Sequence, residues 1–288
     1  MALPIELRTW PWKDRNGRTN WLKVVLLVLL IIPPLWLAYD AMRGLWMIPI
    51  VGLIYWSGIW AMILLLATLA VTPLRRIFRI NRVIGLRRIL GVGALVYSVG
   101  HTLTYFALRS WNAGDIATEV VTRLTLIVAT ASLLGLFVLG LTSFDVAIKK
   151  MGSQNWDRLH KGTYLYTGLA VWHFLLSPGA SGGLPYLFLG MFFWLMAWRW
   201  FNARRMGEDL RVLFGLAVAS TAVTVLSEAI VPALRFGMDP LITLSFNFSL
   251  ILGIAPGWHM LAWGFGVAFA AAIHQRWQGA RGASLAGR

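Results

Sequence analysis

Eight long apolar stretches dominate the chain, at about residues 22–39, 46–71, 89–108, 122–142, 162–177, 184–200, 212–232 and 254–274. Most approach or exceed the ~20 residues an α-helix needs to cross the hydrocarbon core of a bilayer. No water is available there to satisfy a bare amide, so a spanning segment must be helical. The sequence therefore predicts an all-α, polytopic membrane bundle of about eight transmembrane helices. Composition agrees: 58% of the 288 residues are hydrophobic and only 13% are charged, against ~25% charged in soluble domains. A further run at 241–254, between Pro240 and Pro256, is too short to span comfortably and reads as re-entrant or interfacial. A basic stretch from Lys13 to Lys23 precedes the first apolar run, Pro33 and Pro34 interrupt that run, and no clear small-residue cleavage site follows. The first segment is thus expected to be a retained signal anchor.

The excess of 26 Lys and Arg over 11 Asp and Glu, a net charge of +15, would point to nucleic acid in a soluble protein. In a membrane chain its distribution matters first, because cytoplasmic segments are enriched in Lys and Arg. With the N-terminus inside and eight spans, 22 of the 26 basic residues fall on the cytoplasmic side, leaving Arg43, Arg109, Arg123 and Arg235 outside. Letting 241–254 span would turn the basic tail outward. The charge thus predicts cytoplasmic N and C termini, a lipid bilayer as partner, and no nucleic acid.

The chain has no cysteine, which removes disulfides, iron–sulfur clusters and thiolate-ligated metals. Metal chemistry must then run on histidine. Three of the five histidines, His101, His160 and His173, lie in or at the edge of apolar segments, where an ionisable group is costly without a partner or a purpose. His101 follows Arg87 by 14 residues in the third helix, and His173 follows His160 by 13 in the fifth. Both helices enter from inside, so at 1.5 Å per residue both histidines lie about 20 Å deep, at one level. Two level imidazoles on different helices can supply both axial ligands of a haem iron. His160 and His173, about 20 Å apart on one helix, cannot share an iron. At the inner level the third helix carries Arg87 and Arg88, which read either as cytoplasmic anchors or as holders of haem propionates or a flavin phosphate. His259 and His274 flank the last helix, which makes a second site at His160 and His274 geometrically open. Glu228 is the only carboxylate well inside an apolar run.

Other stretches carry a resemblance. Asn20-Trp21-Leu22-Lys23 opens the first helix, and Leu66-Ala67-Thr68-Leu69 runs into Thr72-Pro73-Leu74-Arg75-Arg76 at the end of the second. Leu86-Arg87-Arg88-Ile89-Leu90-Gly91 leads to His101 and Tyr105. Leu141-Thr142-Ser143, Gly152, Trp156, Leu159-His160, Tyr164 and His173 follow in order. Over about residues 20–200 this pattern resembles the MsrQ haem-binding membrane subunits, within the ferric reductase-like transmembrane domains. The resemblance implies haem b as cofactor, with flavin mononucleotide (FMN) in some members, and a place in the bacterial inner membrane. It implies electrons drawn from the quinone pool or a cytoplasmic flavin reductase and passed to a periplasmic MsrP-type molybdoenzyme that reduces methionine sulfoxide. The family's haem ligands carry over to His101, His160 and His173, and its basic pair to Arg87 and Arg88.

The resulting organisation is a cytoplasmic segment at 1–21, a haem-binding domain at 22–200, a two-helix membrane extension at 201–275 and a cytoplasmic tail at 276–288. The seventh and eighth helices, 211–275, exceed the shorter family pattern, so a paralogue with another acceptor stands beside the main reading. From a different class stands a small-solute transporter built on Glu228 and the broken segment 240–257, and a non-catalytic scaffold is a third reading.

Overall fold

A computed structural model describes residues 10–14, 16–177, 182–248 and 253–286, with side chains as far as residue 280. Of the basic residues counted above, Arg8, Arg15 and Arg288, and the side chain of Arg281, lie outside the described residues, as do residues 249–252 of the interfacial run. Among the described residues the regular structure is helical apart from one isolated β-bridge, Lys13 with Thr19.

Each of the eight apolar stretches is covered by one helix: α1 Trp21–Met42, α2 Pro49–Ile77, α3 Leu86–Leu108, α5 Leu124–Leu141, α8 Gly162–Leu176, α9 Leu184–Ala203, α10 Leu210–Phe236 and α12 Pro256–Ala286. Short helices fill the connections: α4 Ala113–Thr122, α6 Asp145–Met151, α7 Ser153–His160 and α11 Pro240–Phe246. Among the described residues five helices are long and apolar enough to cross a membrane: α1, α2, α3 with the 3-10 turn before it, α5 and α10. The chain is a multi-pass membrane protein. Polar side chains start several helices by accepting from otherwise orphaned amides. Asn20 does so for α1, Asn112 for α4, Asp209 for α10 and Asp239 for α11. Gly237, at φ 67°, ends α10 in the left-handed conformation that favours glycine. Residues 276–286, the described part of the tail, continue α12. Their Gln, Arg, Trp and Ala are compatible with helix, and no proline intervenes.

The chain forms two compact units, residues 1–71 with 82–173, and 72–81 with 174–288. This places α9 with α10 and α12, where the sequence reading grouped it with the preceding helices. In the first unit Leu64, Leu65, Val71, Leu90, Ala94 and Leu136 form a buried cluster joined by Leu30, Tyr97 and Tyr166. Lipid tails are as apolar as leucine, so close contact and hydrogen bonding hold such helices together. Gly135 on α5 lies under the Tyr166 ring, which a Cβ would meet at 2.1 Å. Ser132 donates to the Tyr166 carbonyl at 2.9 Å. Pro34 offers no N–H to the carbonyl of Leu30 four residues earlier. The Tyr97 hydroxyl on α3 donates to that carbonyl at 2.7 Å, tying α1 to α3.

In the second unit the glycine at 190 lets α9 meet α10, since a Cβ there would lie 2.0 Å from Thr224 Oγ1. Trp194 meets Trp263 of α12 edge to face at 5.2 Å, and buried Trp198 donates from Nε1 to the Gly207 carbonyl at 2.9 Å. The end of α2 joins this unit: Arg79 pairs with Glu208 at 3.3 Å, and Phe78 lies against His274.

Candidate functional site

Two histidines from different helices meet in the first unit. His101, on α3, places Nδ1 2.8 Å from the carbonyl of Ile54 on α2, with Ser57 Oγ at 3.5 Å. Residue 58 must be small for this, because a Cβ at Gly58 would come within 3.0 Å of His101 Nδ1. His173, on α8, places Nδ1 3.0 Å from the carbonyl of Thr125 at the start of α5. The two ring centroids are 6.2 Å apart, with planes inclined at 75°. A carbonyl only accepts, so Nδ1 is the donor in each ring and Nε2 is the nitrogen left with a lone pair. Metal-ligating histidines are oriented in this way, by donating the other ring N–H to a carbonyl or carboxylate.

The spacing also fits. Two imidazoles on opposite sides of one metal, each bound at about 2 Å, have ring centroids roughly 6 Å apart. The donor set suits haem iron, for which bis-imidazole ligation needs no thiolate.

His160 is held differently. It ends α7, its Nδ1 faces the Trp156 carbonyl one turn back at 3.1 Å, and Ser143 Oγ lies 3.4 Å from Nε2. The Trp156 ring stacks on it at 3.8 Å and 22°, fixed in turn by an Nε1 bond of 2.8 Å to the Thr142 carbonyl. Burial pushes the His160 pKa down, the carbonyls of Trp156 and Leu139 oppose it, and the Arg87 cation adds to the fall. Arg87 thus acts on His160, whereas the Arg88 guanidinium pairs with Asp145 at 2.8 Å. The structure brings His101 to His173 and Arg87 towards His160, and gives Arg88 a carboxylate of its own. His274 and His259 lie in the second unit. His274 meets Gln278 Nε2 at 2.8 Å, and exposed His259 faces the Ala255 carbonyl at 3.2 Å.

One cluster escaped the sequence reading. Glu119 on α4 accepts from the Tyr105 hydroxyl and from Arg109, and pairs with Arg123 at 3.0 Å. The carboxylate is only 15% exposed. The Tyr105 hydroxyl first, then Arg109 and Arg123, hold its pKa below the usual carboxylate range. This clasp joins the end of α3, which carries His101, to the start of α5, whose Thr125 carbonyl holds His173. The i, i+4 spacing of Glu119 and Arg123 was the one local signal for it.

Comparison with known proteins follows the same residues. The family described as ferric reductase like transmembrane component matches residues 57–171, which include His101 and His160. The protein-methionine-sulfoxide reductase heme-binding subunit MsrQ of Cronobacter sakazakii is 36% identical over 189 residues, covering 65% of this chain and 94% of the relative. The MsrQ of Polaromonas naphthalenivorans is 34% identical over 206 residues, covering 66% and 92%. The magnetosome protein MamZ of Magnetospirillum gryphiswaldense is 34% identical over 157 residues, covering 54% of this chain but only 24% of MamZ. No solved structure gives a significant match. With nearly the whole length of an MsrQ subunit aligned at this identity, the chain belongs to the MsrQ family.

Proposed function

We propose that the chain is a haem b electron-transfer subunit in which His101 and His173 would hold the iron. The observation that carries this reading is the 6.2 Å separation of two imidazoles from different helices, each oriented through Nδ1 by a backbone carbonyl. The relatives' designation as heme-binding subunits supports the choice of group. Once bound, haem supplies one-electron redox chemistry. The chain itself supplies ligand position, an apolar surround and access from both faces of the membrane.

His160 and Arg87 serve the cytoplasmic side, where the guanidinium suits a haem propionate or the phosphate of FMN. Arg88 would join them by exchanging Asp145 for that anion. With both termini cytoplasmic, as the basic residues favour, electrons enter from the quinone pool or a cytoplasmic flavin reductase. They leave at the outer face of the inner membrane to a periplasmic MsrP-type molybdoenzyme. A paralogue serving another acceptor is favoured by one observation, the match to MamZ, a protein with a different designation.

Protein extracted in mild detergent should show a b-type haem spectrum with a low-spin ferric signal that His101→Ala and His173→Ala each abolish. Absence of haem, or a spectrum unchanged in both variants, overturns the reading. Reoxidation of the reduced protein by an MsrP-type enzyme separates the two acceptors.

A further inference from the structure

The second unit holds buried polar atoms that nothing above uses. Glu228 lies two turns before the end of α10, and its Oε2 is buried without a hydrogen-bond partner. Beside it is the carboxamide of Asn247, the C-cap of α11. Asn247 is 4% exposed, and both its Nδ2 and its Oδ1 are buried and unpartnered. Its position is set by its backbone, since its carbonyl accepts from Trp258 Nε1 of α12 at 2.9 Å. Glycine at 257 leaves room for the carboxamide, because a Cβ there would lie 3.3 Å from Oδ1 and 2.5 Å from Val225. Pro232 brings no N–H to the Glu228 carbonyl, so the helix is least satisfied at the same residue.

Among the described residues no cation is paired with the carboxyl. Arg235, further along α10, spends both terminal nitrogens on the carbonyls of Leu175 and Leu176. Tyr186 of α9 is the other ionisable group that shares the field of Glu228 and Arg235. An ionised Glu228 would be an unpaired charge among apolar helices, and it would offer no donor to the buried Asn247 Oδ1. A bound metal cation would engage the oxygens but leave the Nδ2 donor unused. A neutral carboxylic acid satisfies every atom: its O–H donates to Oδ1 while its other oxygen accepts from Nδ2, closing a two-bond acid–amide ring.

We propose that Glu228 and Asn247 form a proton-binding site of the second unit, in which the Glu228 carboxylate takes up one proton from water and the Asn247 carboxamide holds the resulting acid. No electron is exchanged, and the site lies outside the 57–171 match. It stands independently of haem ligation.

Infrared absorption of the full-length protein in an ester-free detergent at neutral pH tests it. Wild type should show the carbonyl stretch of a protonated carboxylic acid, moved to lower frequency in D₂O. Glu228→Gln, whose carboxamide can keep both bonds to Asn247 and so preserve the packing, should lose the band. Asn247→Leu should move it to higher frequency as the hydrogen bond is removed. A wild-type spectrum without the band overturns the proposal, as does a band that survives in Glu228→Gln or is unmoved in Asn247→Leu. A band abolished by sodium or potassium chloride, with impermeant buffer ions held constant, would reveal a cation site instead.

Discussion

The two histidine environments of the first unit are built on opposite plans. His101 and His173 are each oriented by a carbonyl from another helix, Ile54 on α2 and Thr125 on α5. His160 is oriented within its own turn, by the Trp156 carbonyl and the Trp156 ring. A ring held from a neighbouring helix turns only if helices move, so the pair depends on tertiary packing. A ring held mainly from its own helix depends less on them. The contrast teaches where rigidity is spent: four helices, α2, α3, α5 and α8, converge on the pair, whereas His160 rests on Trp156 of its own helix, with Ser143 beyond the end of α5 beside its Nε2.

Perturbing each plan separately should break or sharpen that contrast. The largest effect is expected from Gly58→Val, whose Cβ alone would press on the His101 ring 3.0 Å from Nδ1, with two methyl groups added beyond it. Overpacking of this kind costs about 1–3 kcal/mol, and the ring must rotate off the Ile54 carbonyl. Haem content of the purified variant should fall about tenfold or more, measured as the haem-to-protein ratio. A ratio equal to wild type would show that the pair tolerates movement. Next comes Trp156→Leu, which removes the stack on His160 and the bond to the Thr142 carbonyl. The low-spin ferric signal assigned to the pair should keep its g values, while any signal dependent on His160 shifts. A shift in both would mean that the two sites share one support.

Glu119→Gln is expected to act more weakly, by loosening the clasp between α3 and α5. Because this carboxyl has a lowered pKa in the folded protein, its stabilisation is complete above the ordinary carboxylate range of about 4. It is lost as pH falls through the lowered value. The Tm difference between wild type and Glu119→Gln should therefore be present at pH 7 and shrink at acid pH. A difference independent of pH would assign the effect to packing. Smallest is Arg88→Ala, which breaks an exposed ion pair with Asp145 worth about 0–1 kcal/mol. Its Tm should be unchanged within error, so any loss of bound flavin or haem in that variant would report anion binding directly.

Much of the bundle was legible because the bilayer forces long apolar runs into helices, and each run did become one. The proximity of His101 and His173, whose rings lie 6.2 Å apart, was suggested by spacings of 14 and 13 residues along helices of fixed rise. The groups that orient these rings were not legible, since a backbone carbonyl is offered by every residue and leaves no trace in residue type. Tyr105 and Arg109 stand four residues apart where α3 ends, but their partner Glu119 arrives through the loop beyond Trp111, whose course no periodicity specifies. The grouping of α9 with α10 was hidden for a similar reason. It depends on Gly190 meeting Thr224 across helices, and a small residue does not announce which neighbour it admits.

The bond from Tyr97 to Leu30 bears on how the chain is made. Of the residues of α1, Pro33 and Leu37 are buried, and its proline pair strips donors from the carbonyls one turn back. Inserted alone, α1 would hold the Leu30 carbonyl in hydrocarbon with no donor. That group waits until synthesis has passed α2 and delivered α3. Helix α1 is thus completed by α3, and an insertion intermediate ending before Tyr97 should be the one that membrane chaperones hold longest.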